Sequence, residues 1–339
     1  MSAARTGSER GARGRRGRPV RTLADLDEFA LIARIARAAG RAGADAPRGV
    51  RVGIGDDAAV LRRGRGEWAV SCDARVEDVH FRWRSEAART IGRTALVAAL
   101  SDLAAMGAVP RGFTCALAAP PSLALARFDG LIAGLLAEAR RWGCPLVGGN
   151  LARARETSLA LTVLGEVAPG AALRRRAREG DRLLVTGELG GAALARARAE
   201  GSGAPLRRVP TPRLAEGRRL ARIPGIRGCI DVSDGLAADL GHLLGPGLGA
   251  RIDPASVPRP RGFDGACRRL GLDPVATAWS GGDDYELLFT AGARAPTADA
   301  IGRRLGVRVS ELGRVERGGR PRGPGGFRHF GPAAPPNCT

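Results

Sequence analysis

The sequence predicts two mixed α/β domains, because segments with the two-residue period of strands alternate with segments of helical spacing. A length of 339 residues is sufficient for two domains. The Pro169-Gly170 pair and an arginine cluster at 174–178 interrupt the alternation, which predicts a boundary there. The expected parts are a disordered basic tail at 1–22, an N-terminal domain at 23–168, a C-terminal domain at 169–331 and a tail at 332–339.

The N-terminal half begins with a helix, because Thr22-Leu23-Ala24-Asp25 has the pattern of a capping box before an apolar face. A strand follows in which Val50, Val52 and Ile54 alternate with Arg51 and Gly53. The further predicted elements are a strand at 68–71, a helix at 90–106, a strand at 113–119, a helix at 123–142 and strands at 145–147 and 159–167.

The C-terminal half repeats this alternation, with a glycine-rich turn at 187–191 before its first helix. Prolines at 205, 210 and 212 indicate a loop. The predicted elements are strands at 183–185, 230–232, 285–289 and 307–309 and helices at 214–220, 233–244 and 297–305.

The composition excludes several classes of function. All 54 basic residues are arginine, so a Walker-type phosphate loop and a lysine nucleophile are both excluded. The net charge of +20 leaves nucleic-acid binding as an alternative, but only 4% of residues are aromatic, which disfavours it. No apolar run reaches the roughly 18 residues of a membrane span. Six scattered cysteines without C-x-x-C spacing are typical of reduced thiols, and we expect a cytoplasmic protein.

Acidic residues recur near the ends of predicted strands, and one more lies on a helix. Local turn and capping roles explain any single position. Together the carboxylates are the ligands that several Mg²⁺ ions would need to bridge the phosphates of a nucleotide in a chain without lysine. The positions are Asp56-Asp57, Asp73, Asp102, Asp231 with Asp234, and Asp283-Asp284.

Five ordered motifs resemble those of the thiamine-monophosphate kinase family, and the resemblance covers roughly residues 23–331. The motifs are GIGDDAA at 53–59, SDLAAMGA at 101–108, LVGGN at 146–150, DVSDGL at 231–236 and SGGDDYELLF at 280–289. The family belongs to the aminoimidazole-ribotide synthetase-like superfamily. The resemblance implies two α/β domains, a homodimer formed through the N-terminal domain, and Mg²⁺-dependent transfer of the ATP γ-phosphoryl group to thiamine monophosphate.

The resemblance also implies roles for individual residues. The implied metal ligands are Asp57, Ser71, Cys72, Asp73, Asp102, Asn150, Asp231 and Asp234. The implied ATP contacts are Gly149, Asn150, Arg175 and Ser233, with Arg174 and Arg176 as alternatives for the arginine. The implied contacts with thiamine monophosphate are His80, Asp283 and Phe327.

Three positions depart from the family, which usually has Thr at Cys72, Asp at Asn150 and Glu at Asp283. Cys72 keeps only its backbone carbonyl as a hard ligand. Asn150 loses a charge, which weakens one Mg²⁺ site. Asp283 is shorter by one methylene group.

Three alternatives remain open. The first alternative is a catalytically weakened nucleotide-binding homologue, and the second is a sister ATP-dependent synthetase of the same superfamily. The third is a nucleic-acid-binding protein that uses its arginine-rich tail. Selenophosphate synthesis is disfavoured, because it needs a reactive Cys or selenocysteine near a lysine in the N-terminal loop. A salt-sensitive interaction that disappears with residues 1–21 would indicate nucleic-acid binding.

Overall fold

The computed structural model describes residues 30, 32, 33, 37, 50–52, 54, 56–64, 66–168, 171, 173 and 175–318. Of the predicted first helix, the four described residues are helical. The predicted tails and Phe327 lie outside the described residues.

The first sheet has six strands in the order β1-β2-β3-β6-β4-β5. All neighbouring strands are antiparallel except β4 and β5, which are parallel. The strands are β1 (Val50–Val52), β2 (Ala59–Arg63), β3 (Gly66–Val76), β4 (Val109–Ala119), β5 (Leu146–Arg153) and β6 (Ser158–Val167).

The second sheet has five antiparallel strands in the order β8-β10-β7-β11-β9. Its strands are β7 (Arg182–Thr186), β8 (Ile226–Asp231), β9 (Leu248–Ile252), β10 (Leu287–Ala291) and β11 (Val309–Arg317). Two sheets with interleaved helices confirm the predicted mixed α/β class.

Eight helices are bounded in the described part of the chain. They are α1 (Ala88–Ala105), α2 (Leu125–Trp142), α3 (Gly191–Ser202), α4 (Leu214–Leu220), α5 (Leu236–Leu244), α6 (Phe263–Arg269), α7 (Pro274–Ser280) and α8 (Ala298–Leu305). Helix α1 is apolar nearly all round, and it packs against strands of both sheets and against α2 and α4. An all-round apolar helix is typical of a buried position.

Glycines allow α1 and α2 to approach with their backbones in contact. A Cβ atom added at Gly92 of α1 would lie 1.9 Å from the Leu131 carbonyl oxygen of α2. One added at Gly134 of α2 would lie 2.1 Å from the Arg89 carbonyl oxygen of α1. Any larger residue at either position would push the two helices apart.

One hydrophobic cluster joins the two halves of the chain. It contains α1 residues such as Leu100 together with Leu184, Leu220 and Phe289 of the C-terminal half, all fully buried. A second cluster lies within the C-terminal half and includes Trp279 and Phe263. The second sheet therefore contributes side chains to both clusters.

Several predicted strands have different bounds in the structure. The strand predicted at 68–71 continues to Val76, so Asp73 lies within β3 and not in a turn after it. The strand predicted at 285–289 begins only at Leu287, because Asp283 and Tyr285 have φ values of +64° and +52°. Of the strand predicted at 307–309, only Val309 is in a strand, as the first residue of the longer β11.

Candidate active site

Three carboxylates from three separate elements meet in the structure. Asp57 lies in the turn before β2, Asp102 in the last turn of α1, and Asp231 at the end of β8. One carboxylate oxygen from each lies within 4.8 Å of those of the other two. We call these residues the carboxylate cluster.

Burial makes the ionised form of the carboxylate cluster unfavourable. It raises the pKa of Asp57 to about 7, against the opposing charge of Arg175. It raises the pKa of Asp231 to about 6, and the neighbouring charges of Asp73 and Asp234 add to the effect. Burial, with the charges of Asp231, Asp73 and Asp57, raises the pKa of Asp102 well above its usual value. A divalent cation would relieve this repulsion.

The donor set of the carboxylate cluster suits a hard cation such as Mg²⁺, which prefers carboxylate oxygens. Oδ2 of Asp57 is buried and has no hydrogen-bond partner among the described residues. Its other oxygen accepts a hydrogen bond from Nη2 of Arg175 at 2.5 Å. An oxygen without a donor, next to two further carboxylates, is available to a metal ion.

Further predicted ligands surround the carboxylate cluster. The Ser71 hydroxyl donates to Asp102 at 2.5 Å, and Asp73 lies close enough for its charge to raise the pKa of Asp102. Both residues are on the inner face of β3, whereas Cys72 is exposed on the opposite face. The structure therefore brings Ser71, Asp73 and Asp234 to the cluster and directs the Cys72 thiol away from it.

The arginine predicted to contact ATP is Arg175, and its guanidinium lies at the carboxylate cluster. It donates to Asp57, and its Nε lies 3.6 Å from Asp56. Arg176 is exposed, and Arg174 is outside the described residues. The structure therefore favours Arg175 over Arg176 for a phosphate contact at this site.

A second group of polar residues contains two of the predicted substrate contacts. His80 and Asp283 line one cavity together with Arg75 and Arg196. Asp283 is paired with Arg75 and Arg196 and accepts a hydrogen bond from the Tyr285 hydroxyl at 2.7 Å. Burial alone would raise the pKa of Asp283, but the two arginines lower it below its usual value.

Hydrogen bonds in the 231–239 segment connect the two groups. The buried Asp239 carboxylate accepts the backbone N–H groups of Ser233 and Asp234, at 3.0 and 3.1 Å. The Ser233 carbonyl accepts the N–H of Asp283 at 2.8 Å. The loop that carries Ser233 and Asp234 therefore positions Asp283, one of the predicted substrate contacts.

The structure does not bring Gly149 and Asn150 to the carboxylate cluster within one chain. The β-sheet register connects Asp73 to Gly149 through β6 and β4, so the two residues lie three strands, or about 14 Å, apart. Asn150 is exposed on the edge strand β5. A single chain therefore does not place Asn150 among the ligands of the carboxylate cluster, and the contacts of Gly149 and Asn150 with ATP stay a prediction.

Sequence reasoning missed three residues that shape the site, namely Arg75, Arg196 and Asp239. Arg75 lies on the same face of β3 as Ser71 and Asp73, so the two-residue period of the strand could have indicated it. The sequence has no comparable signal for Arg196 or Asp239. Their position depends on contacts between distant segments.

Comparisons with known proteins agree with this geometry. Residues 55–167 match the N-terminal domain of AIR synthase related proteins, and residues 178–324 match the C-terminal domain. Thiamine-monophosphate kinase of Mycobacterium tuberculosis is 37% identical over 256 residues, which cover 73% of this chain and 76% of that protein. The corresponding protein of Rhodopirellula baltica is 34% identical, with coverage of 78% and 84%.

Solved structures agree as well. A structure described as AaThiL complexed with AMPPCP and TMP has a TM-score of 0.74 and 26% identity, covering 90% of this chain and 97% of that one. Thiamine-monophosphate kinase from Stenotrophomonas maltophilia K279a has a TM-score of 0.66 and 36% identity, covering 88% and 96%.

The two sheets and the carboxylate cluster define a member of the AIR synthase related superfamily, in which both domains of the chain are recognised. Within that superfamily, the chain belongs to the thiamine-monophosphate kinase family. The resemblance found in the sequence motifs is thereby confirmed.

Proposed function

We propose that this protein transfers the γ-phosphoryl group of ATP to thiamine monophosphate, giving thiamine diphosphate and ADP. The observation that carries the proposal is the convergence of Asp57, Asp102 and Asp231 from three separate elements within 4.8 Å. Membership of the thiamine-monophosphate kinase family and the similarity to a structure named for AMPPCP and TMP support it.

The residues that would hold Mg²⁺ are Asp57, Asp102 and Asp231, with Ser71, Asp73 and Asp234 beside them. A bound Mg²⁺ would supply the charge that neutralises the phosphates. Arg175 supplies the remaining positive charge in a chain that has no lysine. A guanidinium is well suited to phosphate because it offers several donors in a fixed plane.

On the acceptor side, His80 has a defined hydrogen-bonding state. Its Nδ1 accepts the backbone N–H of Val76 at 3.0 Å, so the ring proton is on Nε2. Nε2–H can then donate to an acceptor on the substrate. Asp283, which two arginines keep ionised, is the neighbouring carboxylate in the same cavity.

The chemistry needs no strong general base. The acceptor is a phosphate group that already carries negative charge, so the work of the protein is to align the reactants and to stabilise charge. The ionised Asp283 and the Nε2–H of His80 orient thiamine monophosphate, the phosphoryl acceptor. Arg175 lies beside the carboxylate cluster.

We also propose that the chain forms a homodimer through β5. All eight residues of this edge strand are exposed, including Leu146, Val147 and Leu151 at 38%, 63% and 68%. An apolar edge strand with unpaired backbone groups favours pairing with another chain. A partner strand would cover Gly149 and Asn150, which a single chain leaves away from the carboxylate cluster.

For the cellular location we propose the cytoplasm, since five described cysteines are free thiols. None of the helices in the described ranges has the length and apolar character that crossing a membrane requires.

The direct test measures thiamine diphosphate and ADP from purified protein, ATP and Mg²⁺, with and without thiamine monophosphate. We expect ADP formation that depends on thiamine monophosphate and equals thiamine diphosphate in amount. Asp102→Asn should lower kcat at least 100-fold, whereas Asp129→Asn, the same change at an exposed position of α2, should not. ADP formation without thiamine diphosphate would contradict the proposal.

A catalytically weakened homologue is the second candidate, and Asn150 is the observation that favours it. Restoring the family residue with Asn150→Asp should raise activity or lower the Mg²⁺ concentration required. If neither changes, the loss of charge at this position does not limit activity.

A further inference from the structure

Arg75 makes contacts that reach beyond its own strand. It is 4% exposed, on the inner face of β3. Nη1 donates to Oδ1 of Asp283 at 3.2 Å and lies 3.1 Å from the Tyr285 hydroxyl, and Nη2 donates to the His80 carbonyl at 2.9 Å. One guanidinium therefore contacts both candidate substrate residues.

We propose that Arg75 is a positioning residue for the phosphate acceptor, and that it acts by holding His80 and Asp283 in one arrangement. The inference rests on the proposed function, since it assigns these two residues to the acceptor side of the site. Arg75 itself acts through them.

The backbone around Asp283 requires such support. Asp283 and Tyr285 have φ values of +64° and +52°, which side-chain-bearing residues rarely adopt. Arg75 contacts both side chains, from a strand more than 200 positions away in sequence. It therefore ties a strained loop of the C-terminal half to a rigid strand of the N-terminal half.

Arg75 and Arg196 contribute differently to the Asp283 carboxylate. Arg196 is paired with Oδ2 and has a side chain that is 37% exposed, whereas the Arg75 side chain is 5% exposed. A buried guanidinium with three acceptors has little freedom to move, but an exposed one can shift when a ligand enters. Arg75 is thus the fixed member of the pair.

The position of Arg75 separates its effect from that of the metal site. Ser71 and Asp73 occupy the preceding inward positions of β3, and each step of two residues along a strand is about 7 Å. Ser71 contacts the carboxylate cluster, whereas Arg75 contacts the substrate-side residues. Replacing Arg75 should therefore change affinity for the acceptor more than affinity for ATP.

The test is a double-mutant cycle with Arg75→Met, Asp283→Asn and the double variant, assayed for KM of both substrates and kcat. We expect Arg75→Met to raise the KM for thiamine monophosphate at least 10-fold, with kcat and the KM for ATP within about 2-fold of wild type. The KM of the double variant for thiamine monophosphate should be no higher than that of the single variant with the higher KM, because both changes remove the same contact. Arg75→Lys keeps the charge but not the fork of donors and should recover part of the affinity.

Arg93→Met is the matched control, because Arg93 also pairs with a buried carboxylate, that of Glu138, between α1 and α2. It should lower the melting temperature without changing either KM. Equal increases of both KM values in Arg75→Met, additive effects in the cycle, or an unchanged KM for thiamine monophosphate would each overturn the inference. If Arg75→Met does not fold, Arg75→Lys decides the matter by a rise of at least 3-fold in the same KM.

Failure of the proposed function has a different signature. Wild-type protein without turnover of thiamine monophosphate would refute that function and this inference together. Normal wild-type turnover with an unaffected Arg75→Met variant would refute the inference alone.

Discussion

The substitution Asp102→Asn should stabilise the metal-free protein, although it should abolish the activity. Two unit charges at the upper limit of 4.8 Å repel by about 3–4 kcal/mol at an effective dielectric constant of 20, and closer charges repel more strongly. Asp102 has two such neighbours in the carboxylate cluster. Bound protons and Arg175 already offset part of this repulsion, so we expect a net gain of about 2 kcal/mol in the free energy of unfolding at pH 8.

The assay is urea denaturation at pH 8, first with EDTA and then with rising Mg²⁺ concentration. Wild-type protein should gain about 3 kcal/mol at a Mg²⁺ concentration of roughly 100 times the dissociation constant. Asp102→Asn should gain less than about 1 kcal/mol, because one of three ligand charges is missing. Asp129→Asn, the exposed control, should behave as wild type in both conditions.

The reasoning would be refuted if Asp102→Asn were less stable than wild type in EDTA. It would also be refuted if Mg²⁺ stabilised both proteins equally, since the cluster would then not be the binding site.

The remaining predictions concern pH, strand packing and an ion pair. Burial raises the pKa values of Asp57 and Asp231 above those of the unfolded chain, so their protonated forms stabilise the folded state. This contribution to the free energy of unfolding is complete below about pH 4 and is lost as the pH rises through 6 to 7. The stability of the metal-free protein should therefore fall between about pH 5 and 8 in urea denaturation, and saturating Mg²⁺ should flatten this profile. Gly149→Ala should destabilise the protein by about 1–3 kcal/mol, because the added Cβ would lie 2.1 Å from the Cys115 carbonyl oxygen. The control is Gly148→Ala, whose Cβ would meet no atom closer than 3.8 Å. Equal melting temperatures for the two variants would count against the β4–β5 pairing. Glu286→Ala should lower the free energy of unfolding by about 3–5 kcal/mol, because it leaves the part-buried Arg213 without its main partner. Thermal denaturation should show a smaller loss of stability for Glu286→Gln.

The sequence predicted the class of fold and the residues of the carboxylate cluster, because both depend on local patterns. Alternating apolar residues predict strands, and the acidic residues at 56–57 and 231 lie next to β2 and at the end of β8. The helical spacing at 90–106 predicted α1 to within two residues at each end. The recurring acidic positions in a chain without lysine predicted a shared Mg²⁺ role for these carboxylates, and the family resemblance assigned the individual ligands.

Features that depend on distant contacts were not predictable in this way. The start of β10 at Leu287 follows from the positive φ values of Asp283 and Tyr285, two non-glycine residues whose backbone conformation the local sequence does not indicate. The network around Arg75 joins positions about 200 residues apart, so no sequence spacing indicates it. Register across the first sheet likewise decided that Gly149 and Asp73 lie apart.

The position of α1 between the two sheets has a consequence for how this enzyme unfolds. Residues of both halves complete one apolar cluster around this helix, and the same helix carries Asp102 in its last turn. Separating the halves near residue 169 would expose a continuous apolar surface on each fragment, so we expect neither fragment to be stable alone. Denaturation should then proceed as a single cooperative transition, and loss of metal affinity should coincide with loss of the whole fold.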